Sequence, residues 1–149
     1  MTPERIEEFL RAQIALAQAM DARVVSVQED RFVLEAPMSA NFNHLGTAFG
    51  GSIAAMAMLA AYGLLWSRLG DSKAHIVIKE GRIRYRRPIR GVIRAEALAP
   101  KETDFREFLA GYEATGRASL PLSVLFPDED AEPGNGKPAA LFRGVFVAI

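Results

Sequence analysis

Between residues 43 and 51, the chain places small and polar residues at a spacing that could hold a carbonyl group. The segment is Asn-His-Leu-Gly-Thr-Ala-Phe-Gly-Gly, and an uncharged, alanine-rich run follows it up to residue 67. Glycine lets the backbone approach another group closely. A helix beginning at Gly50 and Gly51 would present unpaired N–H groups and the positive end of its dipole. Main-chain donors of this kind can bind and polarise a carbonyl oxygen.

Four polar side chains could complete such a site, and each has a structural alternative. Asn43 could orient water, or it could cap its own loop. His44 could act as a general base, since histidine exchanges a proton near neutral pH, or it could be loop surface. Ser52 is at a helix start, where serine commonly caps, and no Asp-His pair at a recognisable spacing would activate it as a nucleophile. Glu80 could act as a base, or it could pair with an arginine across a sheet.

A cluster of arginines follows Glu80 on a chain whose formal net charge is zero. The balanced charge argues against general attraction to nucleic acid or to an anionic membrane. The arginines could bind the phosphates of a ligand, or they could form a solvated sheet face. An RNA-binding surface is disfavoured because the chain has no RNA motif. The cluster consists of Arg82, Arg84, Arg86, Arg87 and Arg90.

The composition excludes several kinds of chemistry. The 149 residues contain no cysteine, so the chain has no disulfide, thiolate nucleophile or sulfur metal ligand. Two histidines are too few for a histidine-rich metal cage, and we expect neither a metal nor a redox cofactor. The first eight residues include acids and no long apolar run, so we expect no secretory signal and a cytoplasmic location.

Two long segments have helical patterns. Apolar residues at helical spacing predict a helix over residues 3–20, with Thr2 as N-cap and Pro3 at the first helical position. A second helix is predicted over residues 53–69 and ends at Gly70. This second segment is apolar enough to cross a membrane. Its loop-like beginning and its alanine content favour a buried core helix instead.

The rest of the chain has mostly strand patterns. Residues 103–115 could form a short helix capped by Thr103 or a pair of strands, and we favour the helix. Residues 127–138 are rich in proline, glycine and acids and predict an exposed loop. The predicted strands are residues 24–28, 32–36, 75–88, 92–98, 120–126 and 139–149.

This order of elements predicts an α+β architecture in a single domain, residues 1–149. Most strands are close in sequence, so we expect an antiparallel sheet whose strands pair largely with sequence neighbours. The one long apolar helix must be covered, and a sheet wrapped around it would do so. The layout is that of the hot-dog fold.

Two motifs resemble those of hot-dog acyl-CoA thioesterases. Residues 43–51, as Asn-x-x-Gly-x-x-Phe-Gly-Gly, are similar to the signature Asn-x-x-Gly-x-x-His-Gly-Gly. Residues 83–91 are similar to the motif Ile-x-Tyr-x-Arg-Pro-x-x-Gly on the strand after the central helix. Residues 41–52 and 142–148 most resemble the thioesterase-type domain at the C-terminus of YiiD-type acetyltransferases. The resemblance covers nearly the whole chain.

The resemblance implies a small-molecule acyl thioester as substrate, as a coenzyme A conjugate or an acyl-carrier protein. It also implies a homodimer, possibly paired into a tetramer, whose sheets join edge to edge with the sites at the interface. Together with the residue types discussed above, the resemblance implies four candidate catalytic positions: Asn43, His44, Gly51 and Glu80. The candidate substrate-binding positions are Gly46, Phe49, Gly50, Ser52, Tyr85, Arg86 and Arg87.

The chain departs from the better-known thioesterases of this fold in two ways. Phe49 occupies the position of their histidine, and residues 52–66 contain no acid that could act as base or nucleophile. Three functions are therefore weighed. Thioester hydrolysis leads, and a non-catalytic acyl-CoA-binding module is the alternative. A dehydratase or hydratase is disfavoured because the usual His and Asp/Glu pair is not visible.

Overall fold

The fold is described by a computed structural model for residues 1–70, 73–132 and 136–149. The helices are α1 (Pro3–Gln13), α2 (Ala15–Ala19), α3 (Gly50–Leu69) and α4 (Glu102–Thr115). The strands are β1 (Arg23–Val27), β2 (Arg31–Ala36), β3 (Ile76–Tyr85), β4 (Ile93–Leu98), β5 (Ala118–Phe126) and β6 (Ala140–Ala148).

All six strands form one antiparallel sheet in the order β1-β2-β4-β5-β6-β3. Strands that are close in sequence pair as predicted, with the exception of β3. This strand pairs with β6 and lies at one edge of the sheet, with a register shift between Ile78 and Glu80. A shift of this kind is typical of a β-bulge in an edge strand.

Helix α3 packs against one face of the sheet, and its buried residues form the centre of the core. Gly63 allows this packing, because a Cβ atom there would lie 2.6 Å from the Phe32 ring of β2. The predicted α+β architecture, with a sheet wrapped around one long helix, is confirmed. By length and composition α3 could cross a membrane, yet half of its most apolar window is buried inside the protein.

Helix α3 begins three residues earlier than the predicted residue 53, at Gly50, and ends as predicted with Gly70 at its C-cap. Gly70 has a φ of 63°, a value that glycine adopts readily. The early start makes Gly50 and Gly51 the first helical residues. This is the position in which the sequence analysis expects them to present unpaired N–H groups.

The first helix is not continuous over residues 3–20. Thr2 does cap it through the Arg5 N–H (3.2 Å). Ile14 then takes an extended backbone, with φ −124° and ψ 102°, and separates α1 from α2. The Arg11 guanidinium holds the returning chain by donating to the Gln18 side chain and to Asp21 (both 2.9 Å). Contacts beyond the helix thus produce the break.

Two further boundaries differ from the prediction. The helix after β4 begins at Glu102, so Thr103 is inside it, and its N-cap is Lys101, whose side chain makes no capping bond. Strand β3 ends at Tyr85, before the predicted residue 88. It ends there because the N–H groups of Arg86 and Arg87 both donate to the Ala139 carbonyl (2.8 and 3.0 Å) and turn the chain.

Candidate functional site

The segment of residues 41–49, which we call the glycine loop, folds back on itself in front of α3. The Phe49 N–H donates to the Asn41 carbonyl, and the Asn43 N–H donates to the Thr47 carbonyl (both 2.8 Å). Gly46 lies at the turn with a φ of 74°, in the left-handed region that favours glycine. The closed loop carries the chain directly to the first turn of the helix.

The Asn43 side chain holds the glycine loop together. Its Oδ1 accepts from the N–H groups of Leu45 (2.9 Å) and Thr47 (3.1 Å), and its Nδ2 donates to the Thr47 hydroxyl (2.9 Å). The loop-capping alternative weighed for Asn43 is therefore what the structure contains. Thr47, which the sequence reading did not select, is the main partner in this arrangement and is buried.

Helix α3 starts without a side-chain cap. Phe49 occupies the N-cap position, and the N–H groups of Gly50, Gly51 and Ser52 have no acceptor among the residues that the structure describes. The first intrahelical-type bond runs from the Ile53 N–H to the Phe49 carbonyl (3.1 Å). Three adjacent donors and the positive end of the helix dipole are thus available to an oxygen atom.

Phe49 and Gly51 lie against each other at this end of the helix. A Cβ atom on Gly51 would be 2.5 Å from the Phe49 ring, so the absence of a side chain gives the ring its place. The ring is also 56% exposed. Where the thioesterase signature has histidine, this chain thus has an apolar ring beside the free N–H donors. This ring cannot transfer a proton.

The second motif contacts the first. The Tyr85 hydroxyl, at the end of β3, donates to the Gly50 carbonyl (2.9 Å). The Ala48 N–H donates to the Ile89 carbonyl (2.8 Å). Residues 83–91 and the glycine loop therefore meet at the start of α3, and Tyr85, predicted as substrate-binding, borders the three donors.

The other candidate side chains are placed differently. His44 is exposed on the glycine loop and makes no hydrogen bond within the described part of the chain. Ser52 is half-buried in the first helical turn, and its hydroxyl forms no hydrogen bond with any described residue. Glu80 pairs in register with Val145, on the sheet face opposite α3. Within one protomer the sheet therefore separates Glu80 from the glycine loop.

Arg86 and Arg87 line an open cleft of about 530 Å³ beyond the end of β3. Arg86 donates to the Pro138 carbonyl (2.9 Å), and Arg87 pairs with Asp128 at 3.5 Å. Acidic side chains share the cleft, so its charge is mixed. Within the described ranges, no three His, Cys, Asp or Glu side chains come together as a metal site.

Asn41 is a buried amide that the sequence reading did not select. It is 3% exposed, and its Nδ2 donates to the carbonyls of Met20 (3.0 Å) and Pro37 (2.8 Å), while its Oδ1 has no partner among the described residues. Asn41 thus ties the end of α2 to the glycine loop. The signal was its place at the start of the residues 41–52 motif.

An apolar cavity of about 290 Å³ lies between the α2 segment, α3 and β3. Ala55, Met58 and Tyr62 of α3 form one wall, and Ile78 of β3 lies in another. Burial raises the pKa of the Tyr62 phenol, so this side chain stays neutral. Nothing in the sequence distinguished these residues from ordinary core positions.

A sheet wrapped around one long helix that begins at a glycine loop is the layout of the hot-dog fold. The family model described as "Putative thioesterase (yiiD_Cterm)" matches residues 3–149, and the chain belongs to this family.

Solved structures share the fold over nearly the whole chain. A protein of unknown function from Chlorobaculum tepidum is 27% identical, with a TM-score of 0.92, and the match covers 99% of this chain and 93% of that one. A protein described as a putative thioesterase from Shewanella oneidensis is 23% identical, with a TM-score of 0.83 and coverage of 99% and 96%. A Pseudomonas aeruginosa protein described as a probable thioesterase is 24% identical, with a TM-score of 0.81 and coverage of 99% and 95%.

Proposed function

We propose that this protein hydrolyses the thioester of an acyl-CoA or an acyl-carrier protein at the start of α3. The observation that carries the proposal is the set of unpaired N–H groups at Gly50, Gly51 and Ser52, beside the contact between the two family motifs. A thioester carbonyl oxygen would accept from these donors. As the oxygen becomes an anion in the transition state, the same donors and the helix dipole stabilise it more strongly.

In this scheme His44 delivers the water. It takes a proton from the water as the oxygen attacks the carbonyl carbon. The tetrahedral intermediate then collapses, the C–S bond breaks, and His44 returns the proton to the sulfur to give an acid and a free thiol. We assign this step to His44 over Glu80 because His44 is on the glycine loop itself. Phe49 lies beside the donors, and Asn43 is a positioning residue for the loop.

We further propose that two protomers pair through β3. The outer edge of this strand pairs with no described strand, and unpaired edges are the usual place for one sheet to join another. In such a dimer, Glu80 would lie on the strand that forms the boundary between the protomers. Arg86 and Arg87 lie beyond the end of the same strand, where they could bind the phosphates of coenzyme A.

Detection of free thiol from a series of acyl-CoA substrates tests this function. We expect turnover by the wild type and a loss of about 10²–10⁴-fold in His44→Ala, the usual effect of removing a proton-transfer group. Glu80→Gln, the matched control, should lose less than about tenfold.

The alternative, an acyl-CoA-binding module, predicts a different outcome. The wild type would then bind acyl-CoA in calorimetry but release no thiol, and His44→Ala would bind equally well. That result would overturn the hydrolase proposal.

A further inference from the structure

Three residues of α3 that line the cavity lie on the same helix face as Gly51, whose N–H is one of the free donors. Gly51, Ala55, Met58 and Tyr62 follow one another at steps of four, three and four residues, which places them on one face of a helix. All four are at least partly exposed. The stripe therefore begins at Gly51, against which the exposed Phe49 ring lies, passes Ala55 and Met58 of the cavity wall and reaches Tyr62 after eleven residues, about 16 Å along the helix axis.

The cavity offers almost no hydrogen-bonding groups to an occupant. The Tyr62 hydroxyl is the polar side-chain group in its lining and bonds to no described residue. Leu16, Met58 and Ile78 line it while remaining 52%, 37% and 39% exposed, so the opening is also apolar. A polar ligand would lose its hydration here without compensation, whereas a hydrocarbon would gain from burial.

We propose that this cavity binds the acyl chain of the substrate and that Tyr62 sets the longest chain it accepts. The inference rests on the proposed function, which places the thioester carbonyl at Gly51. Side chains on a helix lean toward its N-terminus, so the Tyr62 ring closes the stripe roughly 12 Å from Gly51. An extended chain advances about 1.3 Å per carbon, so about nine carbons fit before the ring.

The size of the cavity agrees with this limit. At about 290 Å³ it is at the small end of ligand pockets in proteins. Its walls come from the α2 segment, α3, β3 and β6. Met20 lines it at the end of α2, and the Met20 carbonyl is the group to which Asn41 donates (3.0 Å). The wall of the cavity is therefore tied directly to the loop that orients the donors.

The test measures binding by calorimetry and thiol release for acyl-CoA substrates from two to sixteen carbons. In the wild type, affinity should rise about fourfold for each methylene until the chain meets Tyr62. Tyr62→Ala should extend this limit by about four carbons, the length of the ring removed. Tyr62→Trp should shorten it. Tyr62→Phe keeps the ring and should retain the wild-type limit. Tyr112→Ala, which removes a tyrosine of α4 outside the cavity, should also retain it.

Two outcomes would separate this inference from the proposed function. If thiol is released but the limit is the same in wild type, Tyr62→Ala and Tyr62→Trp, the role of Tyr62 is overturned while the hydrolase stands. If affinity depends on chain length and shifts with both variants but no thiol is released, the cavity assignment is supported and hydrolysis is overturned.

Discussion

The Asn43 side chain closes the loop that leads to the main-chain donors at the start of α3. Both of its polar atoms are engaged inside the glycine loop, chiefly with Thr47. The loop then brings Phe49 to the N-cap position, where no side chain of the described residues accepts from the first N–H groups of the helix. A side-chain cap there would occupy the same donors that a carbonyl oxygen needs.

A double-mutant cycle on Asn43 and Thr47 tests this positioning role. Asn43→Ala and Thr47→Val should each lower the free energy of unfolding by about 1–3 kcal/mol and reduce turnover, because each leaves buried polar groups unpaired. The double variant should lose less than the sum, since both changes break one network. The pH profile of the remaining activity should keep its shape. If Asn43→Ala alone abolished turnover while Thr47→Val behaved as wild type, Asn43 would act on the substrate.

At the scale of single residues, the sequence predicted the main-chain donors but not the hydrogen-bond partners of the side chains. Two glycines before an apolar run were sufficient to predict a helix with free N–H groups. Whether Asn43 faced its loop or a ligand remained open, because that depends on how the backbone of residues 43–47 closes. Asn41 and Tyr62 were missed for a similar reason: their partners and neighbours are distant in sequence.

At the element scale, the break between α1 and α2 creates one wall of the apolar cavity between α2, α3 and β3. The apolar spacing of the segment continues through Ile14, so periodicity alone predicts one helix. The break depends on Arg11, which reaches Gln18, Asp21 and the Ala22 carbonyl (3.1 Å). Those contacts exist only once the chain has turned back, and a local pattern cannot contain them.

The salt bridge between Arg11 and Asp21 predicts acid sensitivity of this region. The hydrogen bond from the Arg11 guanidinium holds the pKa of Asp21 below its usual range. The pKa of this carboxyl is therefore lower in the folded protein than in the unfolded chain, where it is about 4. The charged carboxylate stabilises the fold fully at pH values above the unfolded pKa. This stabilisation is lost as the pH falls through the folded pKa. Urea unfolding of Arg11→Met should therefore show its largest deficit near pH 7, and a smaller one near pH 2.

The control for this measurement is Arg106→Met, which removes the exposed pair of Arg106 with Glu102 on α4. It should change the free energy of unfolding little at either pH, as is usual for surface pairs. A deficit in Arg11→Met that is the same at pH 7 and pH 2 would contradict the linkage to Asp21.

Strand β3 marks a second limit of local patterns. It was predicted as a strand, and the structure confirms the strand. Its partner was not predicted, because the choice between β6 and the strands nearer in sequence depends on the order of the whole sheet. That order leaves β3 at an edge, with Tyr85 at the end that reaches α3.

At the scale of the whole molecule, the free edge of β3 is the feature that a second copy could cover. Val77 of β3 and Leu141 of β6 are 46% and 43% exposed and lie on the sheet face opposite α3. Light scattering should give a mass twice the 16.3 kDa of the chain. Val77→Glu should weaken the dimer, whereas Val25→Glu on the opposite edge strand should not. A wild-type monomer at micromolar concentration would contradict the dimer.

The steady-state kinetics of Gly51→Val test the central claim, that main-chain donors at the start of α3 hold the thioester. The Phe49 ring, 2.5 Å from the new Cβ, is exposed and can turn away, so the fold should persist. The branched side chain would fill the space before the donors. We expect a loss of about 10²–10³-fold in kcat/KM, the usual effect of removing an oxyanion donor. Gly91→Val, where a Cβ meets nothing within 4 Å, should behave as wild type. Wild-type turnover by folded Gly51→Val would contradict the account.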